Sequence, residues 1–190
     1  MPGILGKKIG MTRIFQDDGR VIPITVVQCE PNEITQVKTA SKDGYPAIVL
    51  GFSKLRKPTK TRKFQYSREF KTEETFNKGD KITLEMLKDV ETVKITSAAK
   101  GKGFQGVMKK YNFKGGPASH GSCFHREPGS IGCRAKPGRV EKGKKLPGQM
   151  GMQTVSLRNV KIILIDTEKN LVSLKGPIPG ANGSLVIIQK

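Results

Sequence analysis

KIGMTRIFQDDGRVIPITVVQC, residues 8–29, decides the fold: two β-prone runs, Lys8–Phe15 and Arg20–Cys29, flank Gln16-Asp17-Asp18-Gly19. Asp-Gly between such runs is the strongest short-range hairpin signal, because the tight turn needs positive φ and glycine supplies it without a steric cost. The same grammar continues outward. Glu33–Ala40 reads as a third strand running into Lys42-Asp43-Gly44, and Tyr45–Phe52 as a fourth. At the far end Val160–Asp166, Leu171–Gly176 and Ser184–Gln189 repeat the pattern, separated by Thr167-Glu168-Lys169-Asn170 and by a turn from Pro177 to Gly183. Short strands at this spacing are the signature of an all-β barrel.

Between the two strand groups lies a segment that cannot build a core. Residues 100–150 hold 12 Lys or Arg against Glu127 and Glu141, with 11 of the chain's 22 glycines. Ordering costs roughly 1–2 kcal/mol per residue, and so little apolar burial cannot offset it. The economical architecture is therefore mainly β: a barrel closed by strands from both ends of the chain, over residues 1–99 and 151–190, with residues 100–150 leaving it as a long basic, glycine-rich loop extension. A small α+β appendage is expected at about residues 54–90. It contains the basic run Lys54–Lys63, then Glu69, Glu73 and Glu74, then a short helix over Thr83–Lys88. Glu91–Ser97 returns to the barrel as a strand.

The net charge of +19 is concentrated in that middle segment, which carries +10, against +6 for residues 1–99 and +3 for residues 151–190. Its cations are interleaved with Phe104, Tyr111, Phe113, Phe124, His120 and His125 rather than set in a solvating run. Flat rings among cations suit folded RNA, where exposed bases and phosphates are both available. Neutralising some six phosphates would make binding fall on the order of 10³-fold between 50 and 200 mM salt. Cys29, Cys123 and Cys133 are odd in number and lack scaffold spacing, the start MPGILGKKIG has no apolar leader core, and no run is long enough for a membrane span. A soluble, intracellular protein with no membrane partner is expected. Asn182-Gly183-Ser184 matches a glycosylation acceptor but, in that setting, reads as a hairpin turn.

Three chemical motifs compete with this reading. Gly101-Lys102-Gly103-Phe104-Gln105-Gly106 matches G-x-G-x-x-G, but a dinucleotide site needs a full helix and a second parallel strand, and Gly115-Gly116-Pro117 stops any helix after Val107–Phe113. These glycines fit better as places of close backbone approach, with Lys100, Lys102, Lys109 and Lys110 directed at phosphates. Cys123, His125 and Cys133, with His120 or Cys29, offer zinc-compatible atoms, yet no C-x-x-C or H-x-x-x-H pair organises them. Cys123 with either histidine has no third group to orient a base, so thiol catalysis is not expected. No cofactor and no enzymatic activity follow.

The ordered blocks Lys100-Gly101-Lys102-Gly103-Phe104, Asn112-Phe113, Ser119-His120-Gly121-Ser122, His125-Arg126, Pro128-Gly129-Ser130-Ile131-Gly132, Pro137-Gly138-Arg139-Val140 and Lys142-Gly143-Lys144-Lys145 resemble the bacterial-type large-subunit ribosomal protein L-three family. So do Leu5-Gly6-Lys7-Lys8-Ile9-Gly10-Met11-Thr12, Gly176 and Pro179-Gly180, so the likeness spans nearly the whole chain. The resemblance implies a translation-protein-type β-barrel and a loop threading through rRNA toward the peptidyl-transferase centre. It implies a cytoplasmic, ribosome-bound protein with a role in early subunit assembly, and large-subunit rRNA and neighbouring ribosomal proteins as partners. It also implies N5-methylation of a glutamine near the loop tip by a glutamine methyltransferase. Gly148-Gln149-Met150-Gly151 matches that context and makes Gln149 the candidate. Expected rRNA-binding residues are Lys100, Lys102, Lys109 and Lys110 at the start of the segment, then His120, Ser122, His125, Arg126, Arg134, Lys136, Arg139, Lys142, Lys144 and Lys145 along it. The alternative is a free-standing RNA-binding regulator, since charge alone does not distinguish rRNA from other nucleic acid.

Overall fold

The computed structural model describes residues 3–190. In chain order the elements are β1 (Ile4–Phe15), β2 (Val21–Gln28), β3 (Asn32–Lys38), α1 (Ala40–Asp43), β4 (Ala47–Lys54), β5 (Phe64–Lys71), β6 (Lys81–Ile82), a 3-10 turn (Leu84–Leu87), β7 (Thr92–Ala98), β8 (Gly103–Gln105), α2 (Val107–Tyr111), β9 (Gly148–Met150), β10 (Thr154–Asp166), β11 (Leu171–Lys175) and β12 (Leu185–Gln189). The chain divides into two compact units. One takes in the chain up to Ala99 and from Thr154 to Lys190; the other is Lys100–Gln153.

The first unit contains a closed antiparallel barrel in the order β1-β12-β7-β10-β11-β2. Closure removes the unpaired strand edges that an open sheet exposes. It is made by the two ends of the chain, with Ile4 opposite Ile188, Leu5 opposite Ile187 and Gly6 opposite Val186. Gly6 sits where a Cβ would fall 2.5 Å from Cys29 Sγ and 2.6 Å from Val27 Cγ1, so β1 approaches that closely only without a side chain. Leu5, Val27, Ile95, Val172, Leu174, Val186 and Ile188 fill the interior. Lys8 is buried beside them and stays solvated by protein: its Nζ donates to Ile178 O (2.7 Å) and Gly180 O (3.2 Å), tying β1 to the turn before β12.

Four details refine or correct the reading from sequence. Strands β3 and β4 do not belong to the barrel; they form a second antiparallel sheet in the order β5-β4-β3-β6, so the appendage begins at Asn32 rather than near Lys54. Its inner residues Ile34, Ile48, Leu50, Phe52 and Phe70 join the same buried cluster as the barrel, and Asn32 Nδ2 donates to Leu5 O at 3.2 Å. Strand β10 starts at Thr154, six residues earlier than expected. Arg158-Asn159 resembles a turn, but Asn159 takes φ 56° at a register shift between Leu157 and Val160, and the strand passes through as a bulge. The Asn182-Gly183-Ser184 turn is present, with Gly183 at φ 84° and Gly183 N bonded to Lys8 O (2.7 Å), but it links β11 to β12, which are not neighbours in the barrel and so form no hairpin. The expected short helix over Thr83–Lys88 is the 3-10 turn, held by buried Leu84 and Leu87.

Candidate nucleic-acid interface

Residues 100–153 have little regular structure and hold their path by backbone contact. Strands β8 and β9 pair Gly103 with Met150, Phe104 with Gln149 and Gln105 with Gly148, and Lys102 N donates to Met150 O (2.9 Å). The Gln105 side chain donates to Lys102 O. A Cβ on Gly151 would overlap Lys100 O, so the returning chain passes there only as glycine. Among the described residues of this unit Val107, on α2, is the one buried apolar side chain. The short helix ends at Asn112, which takes the left-handed conformation.

Beyond α2 the chain doubles back on itself. Gly115 and Gly116 run so close to His125 O and Phe124 O that a side chain at either would clash with backbone. Gly116 N donates to His125 O (3.3 Å), and His125 Nδ1 lies 3.1 Å from Pro117 O, which makes that nitrogen the protonated donor. Ser122 Oγ accepts from Phe124 N at 3.3 Å. A niche of about 290 Å³ gathers Phe113, Pro128, Ile131 and Leu146 from three distant parts of the segment. Few apolar groups and many carbonyl–glycine contacts therefore define the loop.

Its electrostatics are one-sided. Ion pairs among the described residues, Lys38–Glu69, Lys54–Glu33 and Lys88–Glu85, all lie in the other unit. Lys110 and Lys145 sit 5.0 Å and 5.9 Å from the Tyr111 ring centroid, so two cations share one aromatic ring. Of the residues expected from sequence, Lys100, Lys102, Lys109, His120, His125, Arg126, Arg134, Lys136, Arg139, Lys142, Lys144 and Lys145 are exposed, while Lys110 and Ser122 are half-buried. His125 and Ser122 spend a polar atom on the loop's own backbone, so part of their role is to shape it. Phe104 and Phe124 keep 76% and 60% of their surface open, which leaves flat rings free for stacking. Gln149 is exposed, opposite Phe104 on the two-strand ladder.

Two groups of cations lie outside the rRNA-binding residues expected from sequence, the second drawn largely from the basic run Lys54–Lys63. Lys114 is exposed between Phe113 and Gly115, and its interleaving with a ring and a glycine was the available signal. In the second sheet Lys60, Arg62, Lys63 and Lys78 line a groove of about 580 Å³, and Arg62 braces it by donating to Phe64 O (3.4 Å) and Gln65 O (3.0 Å). The G-x-G-x-x-G glycines do something different from a nucleotide loop: Gly103 takes φ 69°, a Cβ on Gly101 would press on Met152, and Gly106 faces open space. The strand before α2 is paired antiparallel and the helix has five residues. Cys29 is buried in the first unit, where desolvation pushes its thiol up to about 12, while Cys123 and Cys133 are exposed. Among the described residues no group of three His, Cys, Asp or Glu side chains is placed to hold a metal, and no helix is long and apolar enough to cross a membrane.

Comparison with known proteins adds the lineage. The family described as "Ribosomal protein L3" matches residues 59–176. The chain is 48% identical to the "Large ribosomal subunit protein uL3" of Pelobacter propionicus over 98% of its length and 96% of that protein's. It is 47% identical to the uL3 of Desulfotalea psychrophila (99% and 98% covered) and 44% identical to that of Borrelia hermsii (100% and 97% covered).

Proposed function

Because the chain belongs to the ribosomal protein L3 family, whose members are structural and non-enzymatic proteins of the large ribosomal subunit, we propose that residues 100–153 are its rRNA-binding element. The single observation that carries this reading is a unit of net charge +10 whose cations form no ion pairs among the described residues and whose path is set by glycine–carbonyl contacts rather than by a core. Such a unit carries an unrelieved self-repulsion that a phosphate backbone removes. Lys100, Lys102, Lys109 and Lys110 contact phosphates at its start, and Arg126, Arg134, Lys136, Arg139, Lys142, Lys144 and Lys145 neutralise them along its length. His120, His125, Phe104 and Phe124 supply ring contacts to bases or sugars. The barrel is of the translation-protein type, the loop runs toward the peptidyl-transferase centre, and the protein acts early in subunit assembly; these three points rest on the family resemblance.

The test is sedimentation of a cell lysate on sucrose gradients at moderate and then high salt, with mass spectrometry of the fractions. Stoichiometric recovery in the large subunit after the salt wash is expected. Recovery in the soluble fraction would overturn the reading in favour of a free RNA-binding regulator. Gln149 is the proposed substrate of a glutamine methyltransferase, supported by its exposure and by the Gly148-Gln149-Met150-Gly151 context. Peptide mapping of native ribosomes is expected to find one added methyl group on it, and a wholly unmodified Gln149 would refute the assignment.

A further inference from the structure

The β1–β2 hairpin is built unlike the rest of the surface. The ladder between β1 and β12 ends at Lys7–Leu185, followed by the Lys8 bonds to Gly183 and Ser184, and the ladder between β11 and β2 ends at Lys175–Ile24. Beyond those points Met11–Phe15 pair only with β2, in register from Met11–Thr25 to Phe15–Val21, and Val21–Pro23 have no strand partner besides β1 among the described residues. The far part of the hairpin is thus a two-stranded ribbon past the end of the barrel, a structure marginal on its own in water. One face presents Met11, Phe15 and Val21, which are 51%, 67% and 50% exposed, with Pro23 beside them and Arg13 stacked on Phe15 at 5.6 Å. Ile9, 47% exposed, extends the patch toward the barrel.

Charge says what covers it. In a chain of net charge +19, residues 9–24 hold Arg13 and Arg20 against Asp17 and Asp18, a net of zero. A phosphate backbone gains nothing from a neutral apolar surface with two acids at its tip, whereas an apolar protein segment does. The two edges differ as well. On β2, Pro23 has no N–H and its carbonyl is already taken by Gly176 N at 2.8 Å. On β1, the run Ile9–Phe15 contains no proline, and among the described residues its outer edge bonds no neighbouring strand. We infer that the outer edge of β1 and the Met11–Phe15–Val21 face form a docking site for a neighbouring large-subunit protein, which adds an extended, apolar and weakly charged strand along Ile9–Phe15. This inference rests on the proposed place of the chain in the large subunit.

The experiment uses the assembled large subunit carrying this chain with a photo-activated benzoylphenylalanine at position 15, an exposed site that tolerates an aromatic side chain. Irradiation is expected to yield one dominant protein–protein adduct, mapping to an extended apolar segment of the partner. A second variant, Met11→Ser with Val21→Ser, is expected to lower that adduct at least tenfold while the chain stays in the subunit. An adduct to rRNA, an adduct to a second copy of this chain, or no adduct in a subunit that contains the chain would each overturn the docking site. Absence of the chain from the subunit would instead sink the proposed function, so the two failures are distinguishable.

Discussion

At the scale of single residues, the chain separates glycines that relieve a clash from glycines that permit a backbone angle, and the two classes make different predictions. Gly116 has Phe124 O where a Cβ would be, whereas Gly121 takes φ 72° in open space. Gly116→Ala forces two backbone segments apart and is expected to cost about 2–3 kcal/mol of local stability, as overpacking does. Gly121→Ala meets only the left-handed penalty of roughly 1–2 kcal/mol. Hydrogen exchange of the Gly116 amide in the full chain reads both, and equal effects would contradict the distinction. The sequence marks all these glycines identically, because which carbonyl passes by is a tertiary fact. The cysteines make a second prediction. Cys123 and Cys133 should react with a thiol reagent at once, and Cys29 only on unfolding. Burial holds the Cys29 thiol at about 12 against an ordinary 9.0, so the unfolded chain loses this proton first. The stability that Cys29 contributes is therefore complete below pH 9 and is lost as pH rises toward 12. Unfolding midpoints measured between pH 8 and 11 should fall more steeply in the native chain than in Cys29→Ala.

At the scale of elements, strand positions were legible and strand partners were not. Strands β2, β11 and β12 stand within a residue or two of where Asp-Gly and alternation put them, and β1 ends where expected at Phe15 but starts at Ile4, four residues before the expected Lys8. Strands β3 and β4 lie where alternation predicts, but in the second sheet rather than the barrel. Ile34, Ile48 and Leu50 alternate like any barrel strand, and nothing local states which edge a strand will meet. The second sheet also carries the one ion pair with a clear electrostatic signature. Lys38 Nζ lies 2.5 Å from Glu69 Oε2 and 5.2 Å from the Tyr45 ring centroid, and the Lys38 and Tyr45 hydrogen bonds hold the Glu69 carboxyl below its ordinary range. A lowered carboxylate contributes above its unfolded pKa and loses that contribution as pH falls through the folded one. Acidification should therefore lower the unfolding midpoint more in the native chain than in Glu69→Gln. The difference will be small, because the pair is partly in solvent.

At the scale of the whole molecule, the charge map is what the sequence states most openly: composition alone located the basic segment, since self-repulsion and poor apolar content are sums over residues and need no contact map. The shape of that segment needed the structure. Charge without shape predicts a salt dependence, and that can be checked. Replacing Lys142, Lys144 and Lys145 together by Gln should reduce the slope of log binding against log salt by roughly 2–3 for an rRNA fragment, whichever fragment is chosen. An unchanged slope would place those three side chains away from phosphate. The barrel's topology has a temporal consequence as well. Strand β12 lies between β1 and β7, so a growing chain that has already released its basic segment still lacks the stave that closes the cask. At roughly 5–20 residues per second, translation needs about 2–7 s to go from the end of that segment at Met150 to the start of β12 at Leu185. During this window the most adhesive part of the polypeptide is attached to an unfinished one, and whatever polyanion reaches it first becomes the surface beside which the barrel is completed.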